Sequence, residues 1–163
     1  MATQIAVVGG SDASESVAAT AEAVGAALAS RGAVVVCGGL GGVMTAVCRG
    51  AKSNGGLTVG ILPGGDPSAA NPWVDVVVAS GVGEARNAIV VGSAQAVIAV
   101  GGEYGTLSEI ALALRAGRPV VGIGTWSLTR PNGSPDQGII MMEDPVEGVA
   151  AALRMAVGGP GEA

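Results

Sequence analysis

A chain of 163 residues is long enough for one domain with a substantial core. Thirteen acidic against eight basic side chains leave a net charge of −5, and histidine and phenylalanine are absent. That balance argues against a nucleic-acid binder built on a basic surface or stacked rings, and the missing histidines exclude Ser-His and Cys-His nucleophile pairs and ordinary zinc sites.

The elements alternate along the chain. IAVVGG (5–10) reads as a strand, and 14–32 as a helix with Ser14 as N-cap and Gly32 as its stop. A strand at 33–39 leads to a short helix at 41–56 that ends in Gly55-Gly56. The third strand, 57–65, runs into a Pro/Asn/Ser loop in which Trp73 is an anchor, and a fourth follows at 74–80. The unusually apolar segment 83–94 is helical, 96–102 is the fifth strand, 105–118 a helix and 119–124 the sixth strand. A long loop (125–138), read equally as a lid or subunit contact or as a mobile surface excursion, precedes a short strand at 138–142 and a last helix over 143–159 that frays after Val157. The domain is therefore expected to span 1–157, with a flexible tail at 158–163.

These strands are continuously apolar rather than alternating, as a parallel sheet covered on both faces requires. The expected architecture is a doubly wound, mostly parallel, Rossmann-like α/β fold in a single domain. No apolar stretch approaches the ~20 residues needed to cross a bilayer. No basic segment precedes a separate apolar one at the start, so no secretory leader is read, and a cytoplasmic protein is expected. The two cysteines, Cys37 in a strand and Cys48 in a helix, lack disulfide or zinc spacing and read as buried, reduced thiols.

Ligands of such sheets sit outside the carboxyl ends of the strands. Gly-Gly pairs at 9–10, 38–39, 64–65 and 101–102 all fall there, and Gly41-Gly42 follows closely. Glycines at strand-to-helix turns let the backbone approach a ligand, with the first helical N–H groups and the helix dipole behind them. The natural guest is a phosphate or similar oxyanion. Gly10, Ser11, Gly38, Gly39, Gly41, Gly42, Gly101, Gly102 and Gly105 are the candidate ligand-binding backbone. No P-loop occurs, and the dinucleotide fingerprint fails because Met44 stands where a glycine belongs.

Arg86 is the only basic residue between Lys52 and Arg115 and lies early in a helix, with Asn87 beside it. Two readings stand: a guanidinium clamp on a phosphate, or a surface arginine paired with Glu84 or Glu109. Thr106-Leu-Ser-Glu109 fits a capping box, in which Thr106 caps the helix and Glu109 reaches back to the cap. A carboxylate beside an anion site also suits hydrogen bonding to a ribose or base, or general-base work. Tyr104, the single tyrosine, can pack over a ring or cover the turn.

Together, CGGLGGVMTAVCRGAK (37–52), TVGILPGG (58–65), EARNAIVV (84–91) and GGEYGTLSE (101–109) resemble the LOG-like, lysine decarboxylase-like superfamily. The length and the GGxxGTxSE form are similar to its short branch, which contains molybdenum cofactor carrier proteins. In the hydrolase branch the resemblance implies an N-glycosidic phosphoribohydrolase acting on nucleoside 5′-monophosphates. Arg86 and Glu109 would then be catalytic, and the 101–106 loop, with Thr106, would hold the phosphate. Here Ala85 and Asn87 stand where the hydrolases carry the Glu and Lys of E-R-K, and Val100 replaces the Pro of PGG. The resemblance therefore implies, first, a carrier that binds a phosphorylated small molecule, a pterin molybdenum cofactor or a nucleotide-like ligand, through Arg86, Asn87, Thr106, Glu109 and the glycine loops. It implies no required cofactor, with molybdenum cofactor or nucleotide as cargo only, no metal site, no nucleic-acid or membrane partner, and a homodimer or homotetramer.

Overall fold

The computed structural model describes residues 1–158. Seven strands form one sheet: β1 (Gln4–Gly9), β2 (Val34–Cys37), β3 (Thr58–Leu62), β4 (Val76–Ala79), β5 (Ala96–Val100), β6 (Val120–Ile123) and β7 (Ile139–Met141). Five helices connect or follow them: α1 (Glu15–Ala29), α2 (Val43–Lys52), α3 (Arg86–Gly92), α4 (Tyr104–Arg115) and α5 (Pro145–Gly158). Short 3-10 turns at Pro67–Ala69 and Gly83–Ala85 complete the path. The last helix reaches Gly158, and the expected tail beyond it lies outside the described residues.

The strand order is β4-β3-β2-β1-β5-β6-β7, and every pairing within the sheet is parallel. The chain starts at the centre, steps outward to β4, then crosses back to lay β5 against the other side of β1. The β1/β5 junction is thus the topological switch point of a doubly wound sheet.

Apolar strands follow from cover on both faces. Ile5 and Val7 of β1 join α1, α2 and α5 in one core, while Ala6 and Val8 join α3 and α4 in the other. Ser14 caps α1 as expected, its Oγ accepting from the Val17 N–H at 3.3 Å. Cover is incomplete at both edges: Val76 and Val78 of β4 and Ile140 and Met141 of β7 expose apolar side chains, as does Ile89 of α3. Among the described residues no helix is long and apolar enough to cross a membrane.

The helices α1 and α2 approach backbone to backbone. A Cβ on Gly25 of α1 would fall within the van der Waals radius of the Val47 carbonyl oxygen, and one on Gly50 of α2 would meet the Glu22 carbonyl oxygen in the same way. This close pair fixes where α2 begins, and so fixes the loop before it.

Candidate functional site

A cavity of about 380 Å³ opens at the carboxyl ends of the strands over the switch point. One wall is the loop from Gly9 to Ser14, between β1 and α1. A second is the start of α4, with Gly105, Thr106 and Glu109, preceded by Glu103. Gly38, Leu40 and Met44 come from the β2–α2 connection, and Glu84, Arg86 and Asn87 from the entry to α3.

Unpaired backbone donors belong to two of its walls. The N–H groups of Ser11, Asp12 and Ala13 find no acceptor among the described residues, nor do those of Gly105 and Thr106 in the first turn of α4. Unpaired donors in the turn that leads to the Ser14 cap of α1 and in the first turn of α4, where the α4 dipole lies behind them, can receive an anion.

Arg86 begins α3 and is 7% exposed, so it is not a surface arginine, although the Glu109 partner of that reading is present. Its Nη1 lies 3.6 Å from Glu109 Oε1, an ionic contact too long to be a hydrogen bond, and its Nε has no partner. The guanidinium is therefore under-used within the protein. Gly38 makes its slot. A Cβ there would sit 2.5 Å from Arg86 Nη1, 2.9 Å from Cζ and 2.7 Å from Met44 Sδ. Gly38 lines the cavity, and its lack of a side chain gives the arginine room.

The capping-box reading of Thr106 and Glu109 does not hold. The helix starts earlier, at Tyr104, with Glu103 as a backbone N-cap that makes no side-chain cap bond. Thr106 is already inside the first turn, and both Thr106 and Glu109 are buried. A spacing of three also places two residues on one helix face, and here that face lines the cavity.

The remaining candidates divide. Gly10, Ser11, Asn87 and Gly105 line the cavity with Gly38, Arg86, Thr106 and Glu109. Gly39, Gly41, Gly42, Gly101 and Gly102 do not; they lock loops together. Gly42, at φ 59°, lies against Gly10 and Ser11, and the next residue, Val43, donates its N–H to Gly10 O at 3.0 Å. Gly39 packs on Gly60 and Leu62, and Gly102 on Thr106. Gly101 donates its N–H to Ile123 O and borders a separate cavity of about 120 Å³ beside α1. The Gly64-Gly65 pair follows β3, and neither glycine lines the cavity.

Sequence reasoning missed Asp12, Leu40 and Met44 as lining residues and read Ser14 only as a cap. Their signal was position alone, within the same strand-end turns. With Glu84, Glu103 and Glu109, Asp12 makes four carboxylates to one arginine around the cavity. Attraction for an anion must come from backbone donors and Arg86, while the carboxylates offer acceptors to the N–H or O–H groups of the same ligand. Among the described residues no group of three or more His, Cys, Asp or Glu can hold a metal ion. The 125–138 loop folds against the start of α4: Trp126 donates from Nε1 to Glu103 O at 3.2 Å and packs on Tyr104 with ring centroids 5.6 Å apart.

Burial raises the Glu109 carboxyl from its usual value of 4.5 to about 7, opposed by the Arg86 charge and assisted by Glu84. The folded protein therefore binds this proton more tightly than the unfolded chain. Stability from this group is full below about pH 4.5 and is lost as pH rises through about 7. Relative to Glu109→Gln, wild type is expected to lose on the order of 3 kcal/mol between pH 4.5 and pH 8. Chemical denaturation of both proteins at several pH values checks this, and parallel pH profiles would refute it.

The fold and cavity define a class: a doubly wound α/β domain with a small-molecule pocket at its switch point, walled by helix N-termini. The chain belongs to the SLOG cluster4 family, whose sequence model matches residues 2–149. A protein of Archaeoglobus fulgidus, itself uncharacterised, is 47% identical over 120 residues, or 74% of this chain and 79% of its own. The molybdenum cofactor binding protein of Rippkaea orientalis superposes with a TM-score of 0.84 at 31% identity, over 96% of this chain and 98% of that one. The molybdenum cofactor carrier protein of Chlamydomonas reinhardtii gives 0.82 at 32% identity, over 96% and 99%.

Proposed function

We propose that this protein binds and carries a phosphorylated small molecule of the pterin molybdenum cofactor type, with the anionic group held at the switch point. The observation that carries this reading is that two runs of unpartnered N–H groups, Ser11–Ala13 and Gly105–Thr106, belong to residues lining one cavity. Arg86, with its Nε unpaired, supplies the one full positive charge. A cavity of about 380 Å³ suits a mononucleotide- or pterin-sized guest. The likeness to two solved proteins that bind or carry molybdenum cofactor, across almost the whole of each chain, supports the carrier role.

In this reading the phosphate oxygens accept from the turn before α1, from the start of α4 and from Arg86. Ring and hydroxyl donors turn toward Glu109, Asp12, Glu84 and Glu103. Excluding water around the phosphate strengthens each of these contacts.

One observation favours a second reading, the nucleoside 5′-monophosphate phosphoribohydrolase. A buried carboxyl with a pKa of about 7 is poised for proton transfer at neutral pH, and it sits beside an arginine in the same cavity. A single set of experiments separates the two. A saturating cargo ligand at about 100 times its Kd stabilises by about 2.7 kcal/mol, or roughly 5–10 °C in Tm for a domain of this size. Such a shift is expected with pterin cofactor, and a smaller one with phosphate or molybdate. Release of free base from a panel of nucleoside monophosphates would establish the hydrolase instead. Flat melting curves with every ligand, and no base released, would remove both readings.

A further inference from the structure

The two cysteines, well separated in sequence, meet in the core. Cys37 closes β2 and Cys48 lies midway along α2, and their sulfurs are 3.5 Å apart. Both are fully buried free thiols. We propose that Cys37 and Cys48 form a reversible modification site, oxidised to an intramolecular disulfide by a peroxide, with Cys37 as the attacking sulfur.

The asymmetry between the two sulfurs supports the assignment of roles. Cys37 accepts a backbone hydrogen bond from the Gly39 N–H at 3.3 Å. The contact with the Cys48 thiol, together with the Gly39 N–H and the Arg86 charge, holds Cys37 below the usual thiol range despite burial. The same pairing, with burial, pushes the Cys48 thiol above it. Cys48 is therefore the proton-bearing partner and Cys37 the one with thiolate character. Access is short, because Cys37 is followed by Gly38 at the cavity wall, and Met44, which also lines it, is one helical turn from Cys48. Peroxide is scarcely larger than water.

The chemistry balances without further reactants. The Cys37 thiolate attacks one peroxide oxygen; the O–O bond breaks and hydroxide leaves, giving a sulfenic acid and, after protonation, water. Cys48 sulfur then attacks the Cys37 sulfur. The S–S bond forms, the S–O bond breaks, and the departing hydroxide takes the Cys48 proton as a second water. Two thiols are oxidised and one peroxide is reduced. Closing a gap of 3.5 Å to bonding distance draws the end of β2 toward α2, and Gly38 with it.

The test is hydrogen peroxide treatment of the folded full chain, followed by thiol quantification and intact and peptide mass spectrometry without reductant. The expected product is a monomeric chain lighter by two hydrogens, with the peptides containing Cys37 and Cys48 linked, and restored by dithiothreitol. In Cys48→Ala, dimedone is expected to trap a sulfenic acid on Cys37. In Cys37→Ala, Cys48 is expected to resist. Circular dichroism establishes that each variant is folded, and wild type carries the main result if either is not. Two free thiols surviving in folded wild type, at peroxide levels that oxidise the urea-unfolded chain, would overturn the proposal. So would disulfides that form only between chains, or a sulfinic acid at Cys37 with no internal disulfide.

Discussion

Arg86→Ala is expected to weaken ligand binding by about 10- to 150-fold, corresponding to the roughly 1.5–3 kcal/mol of a hydrogen bond to a charged group. The guanidinium is buried, and among the described residues its Nε is unpaired and its only carboxylate contact is at 3.6 Å. It therefore has bonding capacity that the folded protein leaves unused, which the proposed phosphate would fill. Arg86→Lys should recover only part of the affinity, because an ammonium restores the charge but not the planar fork. Removing the arginine also removes the charge that holds the Glu109 pKa down, so the carboxyl should titrate above its present value of about 7. Titration calorimetry with the pterin cofactor measures the first effect. Equal affinities for wild type and Arg86→Ala would place the anion elsewhere.

Gly25→Ala is expected to destabilise the fold by about 2–4 kcal/mol, although alanine is the better helix former by nearly 1 kcal/mol. Propensity loses because the new methyl collides with the Val47 carbonyl and lies 2.9 Å from the Ala51 N–H. Both are backbone atoms, which no rotamer change can move. The helices must separate, and the α1–α2 core must open with them. Gly50→Ala meets Glu22 from the other side and should behave alike. Gly92, at the exposed end of α3 with nothing within 4 Å of its Cβ position, is the control. There the same change should be neutral or stabilising by up to about 1 kcal/mol. Urea denaturation of the three variants decides it, and equal stabilities for Gly25→Ala and Gly92→Ala would contradict the close-packed helix pair.

Much of the fold was legible because a two-sided parallel sheet writes itself as short apolar runs separated by helical periodicity. Each of the seven expected strands is present, and Ser14 caps α1 as its side chain suggests. The rim of glycines was legible too, since turn chemistry is local. Which glycines face the cavity was not, because that depends on strand order. The switch point pairs β1 with β5, so the Ser11 and Gly105 turns become neighbours while Gly64-Gly65 falls outside the cavity. The capping-box reading of Thr106 and Glu109 failed for a related reason. Their spacing is shared by a cap and by an inward helix face, and only the position of the helix start distinguishes them. Gly38 lines the cavity, but nothing local reveals that Arg86, distant in sequence, lies over it. The sulfur pair was equally hidden, since β2 and α2 bring the two thiols together only when packed.

The central claim is the position of the anion, and a crystal structure of the complex with pterin cofactor tests it most directly. Phosphate oxygens should lie within hydrogen-bonding distance of the Ser11–Ala13 and Gly105–Thr106 N–H groups, with Arg86 turned onto one of them. A phosphate bound away from the β1/β5 junction, with those N–H groups still unpaired, would contradict the account.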